Sequence, residues 1–286
     1  MIAAVPDPDP QEEEGSELEL IEIELLLEAV HRRYAFDFRD YAPAVLRRRL
    51  WRRAQAEGVR TLSGLQERVL HDPAAMERLL LDLSVTTTSM FRDPGFWLAF
   101  REKVVPILRT YPFVRIWSAG CSTGEETYSI AIVLQEEGLL DRSRIYATDI
   151  NAAVLARARN GMFPLARMRE ANANYLRAGG ARAFSDYYIS GYDHARFCRP
   201  LCDNVVWAQH NLVSDASFNE FHVILCRNVL IYFGKPLQDR VHALLHESLA
   251  PFGFLALGSR ETLRFAARET DYAPVVEAER LYRRVA

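Results

Sequence analysis

Trp117-Ser-Ala-Gly-Cys-Ser-Thr-Gly-Glu-Glu126 is the stretch on which the fold of this chain turns. It continues the β-rich run Phe113-Val-Arg-Ile-Trp-Ser118 and leads into a segment, about Glu125–Glu137, that reads as a helix. A strand passing through a glycine-bounded turn into a helix lets a ligand approach the backbone closely, because glycine accepts φ > 0 and carries no Cβ. An ordinary strand-to-helix turn has the same outline, so the turn acquires meaning only from what surrounds it.

The sequence on either side repeats the rhythm. Arg144-Ile-Tyr-Ala-Thr148 reads as a second strand and Ala152–Arg159 as a second helix. Further strands fit Val205–Ala208, His222–Cys226 and Phe254–Leu257, with a helix about Leu237–Leu249 between the last two. Strands alternating with helices predict an α/β fold, a doubly wound, mostly parallel sheet covered on both faces. Tyr282–Val285 is expected to close it as an edge strand. Tyr187–Ser190, Gly191–His194 and Arg196–Arg199 interrupt the alternation and read as a small antiparallel β insertion, about residues 185–203.

The next strand ends at Asp149, 25 positions after Gly124. In a doubly wound sheet this sets a carboxylate at the edge of the neighbouring strand, where it can accept hydrogen bonds from both hydroxyls of a ribose. The same residue also suits the cap of the helix that follows. The turn lacks the Gly-x-Gly-x-x-Gly of a pyrophosphate site and the Gly-Lys-Ser/Thr of a P-loop. It offers Glu125 and Glu126, which repel phosphate but suit an amino group and a sulfonium. The nucleoside ligand so described is S-adenosylmethionine, with either Glu125 or Glu126 meeting its amino group.

Four blocks taken together, Phe91-Arg-Asp-Pro94, Trp117–Glu126, Ala147-Thr-Asp-Ile150 and Cys226-Arg-Asn-Val-Leu-Ile-Tyr-Phe233, resemble the CheR-type chemotaxis methyltransferases, which methyl-esterify glutamates on chemoreceptors. The resemblance covers about residues 18–286. It implies a Rossmann-like methyltransferase domain. It further implies cofactor contacts from Thr86, Thr88 and Arg92, from Glu126 or Glu125, from Asp149, from Asn211 and Leu212, and from Asn228 and Val229. It sets Arg92 and Tyr232 beside the reaction centre. Where the family often has Asn-Glu-Thr or Asn-Leu-Thr, this chain has Thr86-Thr-Thr88, which removes an amide donor–acceptor pair.

Ahead of the sheet, the sequence predicts a small helical domain over residues 17–85, preceded by a disordered acidic tail at 1–16 and followed by the methyltransferase domain, 86–286. Leu18, Ile21, Leu25 and Leu26 recur at helical spacing and predict an amphipathic helix to about Tyr34. A second helix fits Pro43–Glu57, and shorter ones fit Leu62–Leu70 and Pro73–Leu83. Residues 1–30 hold ten acids and no Lys or Arg, whereas 32–60 hold nine Arg against three acids. Arg48, Arg49, Arg52 and Arg53 recur at i, i+3/i+4 spacing and predict a cationic helix side. Given the resemblance, its partner is an acidic cytoplasmic helix of a methyl-accepting chemotaxis receptor; a solvated face or pairing with nearby acids is the alternative.

A net charge of −3 argues against a surface built to coat nucleic acid or an anionic membrane. An arginine cluster permits a nucleic-acid methyltransferase, but the Asn/Asp-Pro-Pro-Tyr/Phe motif expected after the fourth strand does not occur. A module that binds S-adenosylmethionine without turnover is the remaining alternative. Met1–Ser16 carries no apolar run of the kind a signal peptide needs, and no segment approaches the roughly 20 apolar residues that span a bilayer. A cytoplasmic protein is expected, with membrane association only through the receptor, and with Cys121, Cys198, Cys202 and Cys226 as reduced thiols. His194, Cys198 and Cys202 lack a second ligand pair for a metal.

Overall fold

The computed structural model describes residues 10–83, 88–264 and 266–285, with side chains from residue 17 onward. The chain divides into two compact units, residues 1–84 and 85–286.

The first unit is helical. It comprises α1 (Pro10–Tyr34), α2 (Pro43–Ala56), α3 (Leu62–His71) and α4 (Pro73–Leu83). Thr61 caps α3, its hydroxyl accepting from the Gly64 amide at 3.0 Å, which satisfies one of the orphan N–H groups of the first turn. Leu26, Leu27 and Val30 of α1 are buried, together with Leu46 and Leu50 of α2, Leu65 and Val69 of α3, and Leu79 and Leu83 of α4. Two expectations need correction. The first helix begins at Pro10, inside the stretch expected to be a disordered tail. Leu18, Ile21 and Leu25, expected to face the core, are about half exposed, whereas Leu26 is buried. Spacing alone could not choose between two apolar stripes on one Leu-rich helix.

The second unit holds a seven-stranded sheet. Its strands are β1 (Val114–Ala119), β2 (Ser143–Asp149), β6 (Val205–Gln209), β7 (Phe221–Cys226), β8 (Leu249–Leu257), β9 (Tyr272–Val276) and β10 (Leu281–Arg284), in the order β6-β2-β1-β7-β8-β10-β9. The first five run parallel, β10 is antiparallel to β8, and β9 is antiparallel to β10. Helices α5 (Pro94–Ala99), α6 (Val105–Leu108), α7 (Glu125–Glu136), α8 (Ala152–Asn160), α9 (Met168–Arg177) and α10 (Lys235–Ser248) complete it. A π-helical turn, Phe100–Val104, joins α5 to α6.

From β1 the chain winds outward through β2 to β6, then crosses back to place β7 on the other side of β1. The sheet reverses direction there, and the crevice outside the strand ends at that reversal is where doubly wound folds bind ligands. In-register pairing of Ala119 with Thr148 and of Asp149 with Gln209 aligns the ends of β1, β2 and β6 along one edge. Helix α7 is buried from Thr127 to Leu134, which fixes the turn preceding it.

The expected edge strand lies inside the sheet. β10 pairs with β8 on one side and β9 on the other, and β9 is the true edge. Tyr-Ala-Pro-Val-Val276 hid its strand character behind Pro274, a residue that sheets tolerate at edges. The insertion is larger than a hairpin. β4 (Tyr188–Ser190) and β5 (His194–Phe197) form the expected pair, and β3 (Met162–Pro164) adds to β5 from before α9. Phe163, Phe184, Tyr187 and Phe197 are buried beneath it and meet Tyr128 of α7 and Tyr175 of α9.

Candidate active site

The turn after β1 carries three residues in the left-handed region, Gly120 (φ 72°), Ser122 (φ 52°) and Gly124 (φ 96°). A Cβ on Gly120 would lie 2.6 Å from Cγ2 of Val229, and one on Gly124 would lie 3.0 Å from Cβ of Ala158. A side chain at Gly120 would collide with Val229, and one at Gly124 would be strained by its positive φ and tight against Ala158. Asp149 closes it from β2: Oδ2 accepts from the Ser122 amide at 2.9 Å, and Oδ1 from the Asn151 amide at 3.0 Å. Burial pushes the Asp149 carboxyl above its usual range, and these amides pull it back. Asn151, not Asp149, caps α8, its Oδ1 accepting from Ala153 and Val154.

Two cavities adjoin this loop. Thr88, Arg92, Trp97, Gly120, Cys121, Ser122, Glu126, Arg227 and Asn228 are among the residues around the first. The second, about 340 Å³, is bounded by Met90, Glu125, Phe163, Arg167, Met168 and Glu170. Thr88, Ser89 and Arg92 line both. The geometry thus separates the two acids that spacing could not. Glu126 faces the first cavity, its carboxylate bonded to the Ser118 hydroxyl and Arg227, both at 3.2 Å. Glu125 turns to the second, accepting from the Thr123 hydroxyl at 2.6 Å with Arg167 at 3.7 Å. Burial raises both carboxyls, and for Glu126 the Arg227 charge works against that rise.

The segment carrying Arg92 is strained. Phe91 and Asp93 have φ values of 50° and 54°, conformations that cost non-glycine residues of order 1–3 kcal/mol each. The Phe91 ring sits fully buried among Trp97, Tyr175 and Phe184, and its amide donates to the Ser129 hydroxyl at 2.9 Å. The Arg92 carbonyl accepts from Trp97 Nε1 at 3.0 Å. Thr88 stands at this cavity wall, whereas Thr86 lies outside the described residues.

Of the other expected residues, Asn228 lies in the cavity wall with φ 61°, and Val229 packs against Gly120. Asn211 and Leu212 follow β6 beside Asp149, whose carbonyl accepts from the His210 amide at 3.1 Å. The Asn211 Oδ1 is taken by the Val213 amide at 3.0 Å. Tyr232, at the end of the short turn Leu230–Tyr232, is half-buried and is not among the residues lining either cavity.

Two residues escaped sequence reasoning. Arg227 is buried to 2% side-chain exposure, bonds Asp93 at 2.7 Å and lies 4.1 Å over the Phe96 ring. Glu261 is buried and takes four backbone N–H groups: Asn228 at 2.9 Å, Leu230 at 2.7 Å, Ile231 at 3.3 Å and Gly258 at 2.5 Å. One signal was available for each, a charged residue inside an apolar strand-end block and an acid just after Gly258.

In the first unit the four arginines divide. Arg53 pairs with Asp82 and Glu57, and Arg52 with Asp82 at 2.7 Å. Arg49 donates to the Leu83 carbonyl. Arg48 is exposed, and among the described residues it has no ion pair.

The donor set fits a nucleoside with a cationic tail. Asp149 retains lone pairs for a diol, Glu126 offers charge for an ammonium, and the Ser122 hydroxyl is buried without a partner. Among the described residues no group of three or more His, Cys, Asp or Glu can hold a metal, and no helix is long and apolar enough to cross a membrane. Fold and site define an S-adenosylmethionine-dependent methyltransferase.

The comparisons name the branch. A family model described as "CheR methyltransferase, SAM binding domain" matches residues 86–279, and one described as "CheR methyltransferase, all-alpha domain" matches 21–84. The chain is 49% identical over 264 residues to a Pseudomonas putida KT2440 protein named methyltransferase Cher3, covering 92% of this chain and 97% of that one. It is 34% identical over 218 residues to chemotaxis protein methyltransferase 2 of Pseudomonas aeruginosa PAO1, covering 71% and 75%. It is 29% identical over 257 residues to the chemotaxis protein methyltransferase of Salmonella typhimurium LT2, covering 85% and 84%. The chain belongs to the CheR methyltransferase family.

Proposed function

We propose that this methyltransferase forms methyl esters on glutamate side chains in the cytoplasmic helices of chemoreceptors, acting in the cytoplasm. The observation that carries the reading is Arg92, which lines both cavities at once. One side of it holds the cofactor's partners, Glu126 and the Gly120–Gly124 loop. The other opens toward Met168 and Arg167, with room for an acceptor side chain. Two of the relatives above are named chemotaxis protein methyltransferases, which supports a receptor as substrate.

S-adenosylmethionine supplies a methyl group bonded to a sulfonium. A glutamate has a reference pKa of about 4.3 and is ionised at neutral pH, so no strong base is needed. The protein's task is alignment and partial exclusion of water. Asp149 holds the ribose and Glu126 the ammonium. Thr88, Asn228 and Val229 shape the cavity around them, with Asn211 and Leu212 at the adenosine end. Arg92 steers the acceptor carboxylate from the edge of the site. Arg48, with Arg49, Arg52 and Arg53 around it, meets the acidic receptor helix.

The test is transfer from methyl-labelled S-adenosylmethionine to receptor-containing membranes, followed by mild base. Label released as methanol supports an ester. Label that stays bound through base rejects glutamate esterification and favours another acceptor, nucleic acid included. No transfer, with cofactor still bound, favours a binding module.

A further inference from the structure

Arg227 is a deeply buried cation beside the cofactor cavity, and its partners come from two parts of the site, α7 and the turn that leads into α5. One nitrogen meets Glu126 of α7 at 3.2 Å. The other meets the Asp93 carboxylate at 2.7 Å. Both lie 3.4 Å from the Arg92 carbonyl. Its guanidinium carbon lies over the ring of Phe96 in the first turn of α5. Asp93 stands where a side chain would cap α5, yet it makes no capping bond and gives its carboxylate to Arg227.

We propose that Arg227 is a positioning residue with two effects: it keeps Glu126 charged to receive the cofactor's ammonium, and it clamps the strained Phe91–Asp93 turn that presents Arg92. The inference concerns the cofactor side of the site and stands whether the acceptor is a receptor glutamate or another group.

The electrostatics follow from the neighbours. Glu126 is bonded directly to the Arg227 cation, and the Glu261 carboxylate and the Cys121 and Cys226 thiols lie within electrostatic reach of it. Arg92 lines the same cavity, Glu125 and Asp149 border its loop, and Asp93 and Glu279 face Arg227 itself. Burial drives the Glu126 carboxyl toward its neutral form, and Arg227 is the cation bonded to it. A neutral carboxyl cannot pair with an ammonium. Deleting the Arg227 charge should therefore let Glu126 take up a proton as pH falls. The fork geometry matters separately: a guanidinium spans Asp93, the Arg92 carbonyl and Glu126 together, which a lysine ammonium cannot do with the same rigidity.

The experiment is calorimetric titration of the full chain with two ligands, from about pH 6 to about pH 8. S-adenosylhomocysteine carries the ammonium. 5′-Methylthioadenosine keeps the adenosine and lacks it, so it reports an intact fold and an intact Asp149 contact. Wild type should bind S-adenosylhomocysteine with little change across this range. R227Q should bind it about tenfold more weakly at the low end than at the high end, with methylthioadenosine affinity flat. R227K should restore the flat pH response but keep a uniform loss of S-adenosylhomocysteine affinity. The proposal is overturned if R227Q weakens both ligands equally at every pH, or leaves both unchanged. It is also overturned if R227K shows the same pH slope as R227Q.

Discussion

Replacing Glu261 by Gln changes one atom and should unsettle the whole corner of the site. The carboxylate accepts from four backbone N–H groups, two on each oxygen. Three of them, on Asn228, Leu230 and Ile231, belong to the turn that walls the cofactor cavity. A glutamine keeps one acceptor oxygen and turns the other into a donor, which two amides then face. Each lost hydrogen bond to a charged group is worth about 1.5–3 kcal/mol, so two together cost about 3–6 kcal/mol. Whole domains hold only about 5–15 kcal/mol. For a unit of roughly 200 residues, each kcal/mol moves the midpoint by about 2–4 °C, giving a fall of about 6–24 °C. Thermal unfolding followed by near-ultraviolet circular dichroism, with and without S-adenosylhomocysteine, measures it. The ligand marks the transition of the cofactor-binding unit. Cofactor affinity should fall as well, because Asn228 is held at φ 61° by this carboxylate. A Glu261→Gln midpoint within about 2 °C of wild type would refute the reasoning.

Asp149→Ala should weaken S-adenosylhomocysteine binding by about 1.5–3 kcal/mol by calorimetry, and should also lower the melting point, since the Ser122 and Asn151 amides lose their acceptor. Unchanged affinity in a folded variant removes Asp149 from the ribose site. Arg92→Ala should cut methyl transfer strongly with a small change in melting temperature, and Arg92→Lys should rescue it poorly because a point charge lacks the planar fork; normal rates in both eliminate the role. In the helical unit, Arg48→Glu should raise the Michaelis constant for receptor at low salt and leave stability alone, whereas Arg53→Glu should destabilise by breaking the pairs with Asp82 and Glu57. Equal effects of the two on binding would count against a charged docking face. Glu57 is held down to about 2 by Arg78 first, with burial opposing and Arg53 adding to it. Its contribution is therefore complete above the ordinary carboxyl range and is lost as pH falls from about 4.5 toward about 2, a loss that acid titration of wild type against Glu57→Gln should show and that identical acid midpoints would contradict.

The parallel sheet was legible because its strands are separated by helices with clear periodicity, and because Gly120–Gly124 and Asp149 fall at strand ends. The cofactor class followed from the acids in the turn. What escaped depends on contacts that neighbours in sequence do not encode. Glu125 and Glu126 are adjacent, and only the rotation of α7 sends one to each cavity. Glu261 reaches back about thirty residues to Asn228, Leu230 and Ile231. Arg227 reaches back more than a hundred, to Asp93 and Glu126. The arginine helix looked cationic because its acids are remote: Asp82 lies on α4 and Glu19 on α1, where it pairs with Arg47 at 2.7 Å. The apolar stripe on α1 was misassigned because leucines occur on both sides of that helix.

The most direct test of the account is mass spectrometry of a chemoreceptor's cytoplasmic helices after incubation with the enzyme and S-adenosylmethionine. The account predicts the mass increment of one methyl group on specific glutamate side chains, removed by base and absent when Arg92→Ala replaces wild type. A base-stable methyl on lysine, arginine or another residue, or unmodified glutamates beside an enzyme that demonstrably binds its cofactor, would contradict it.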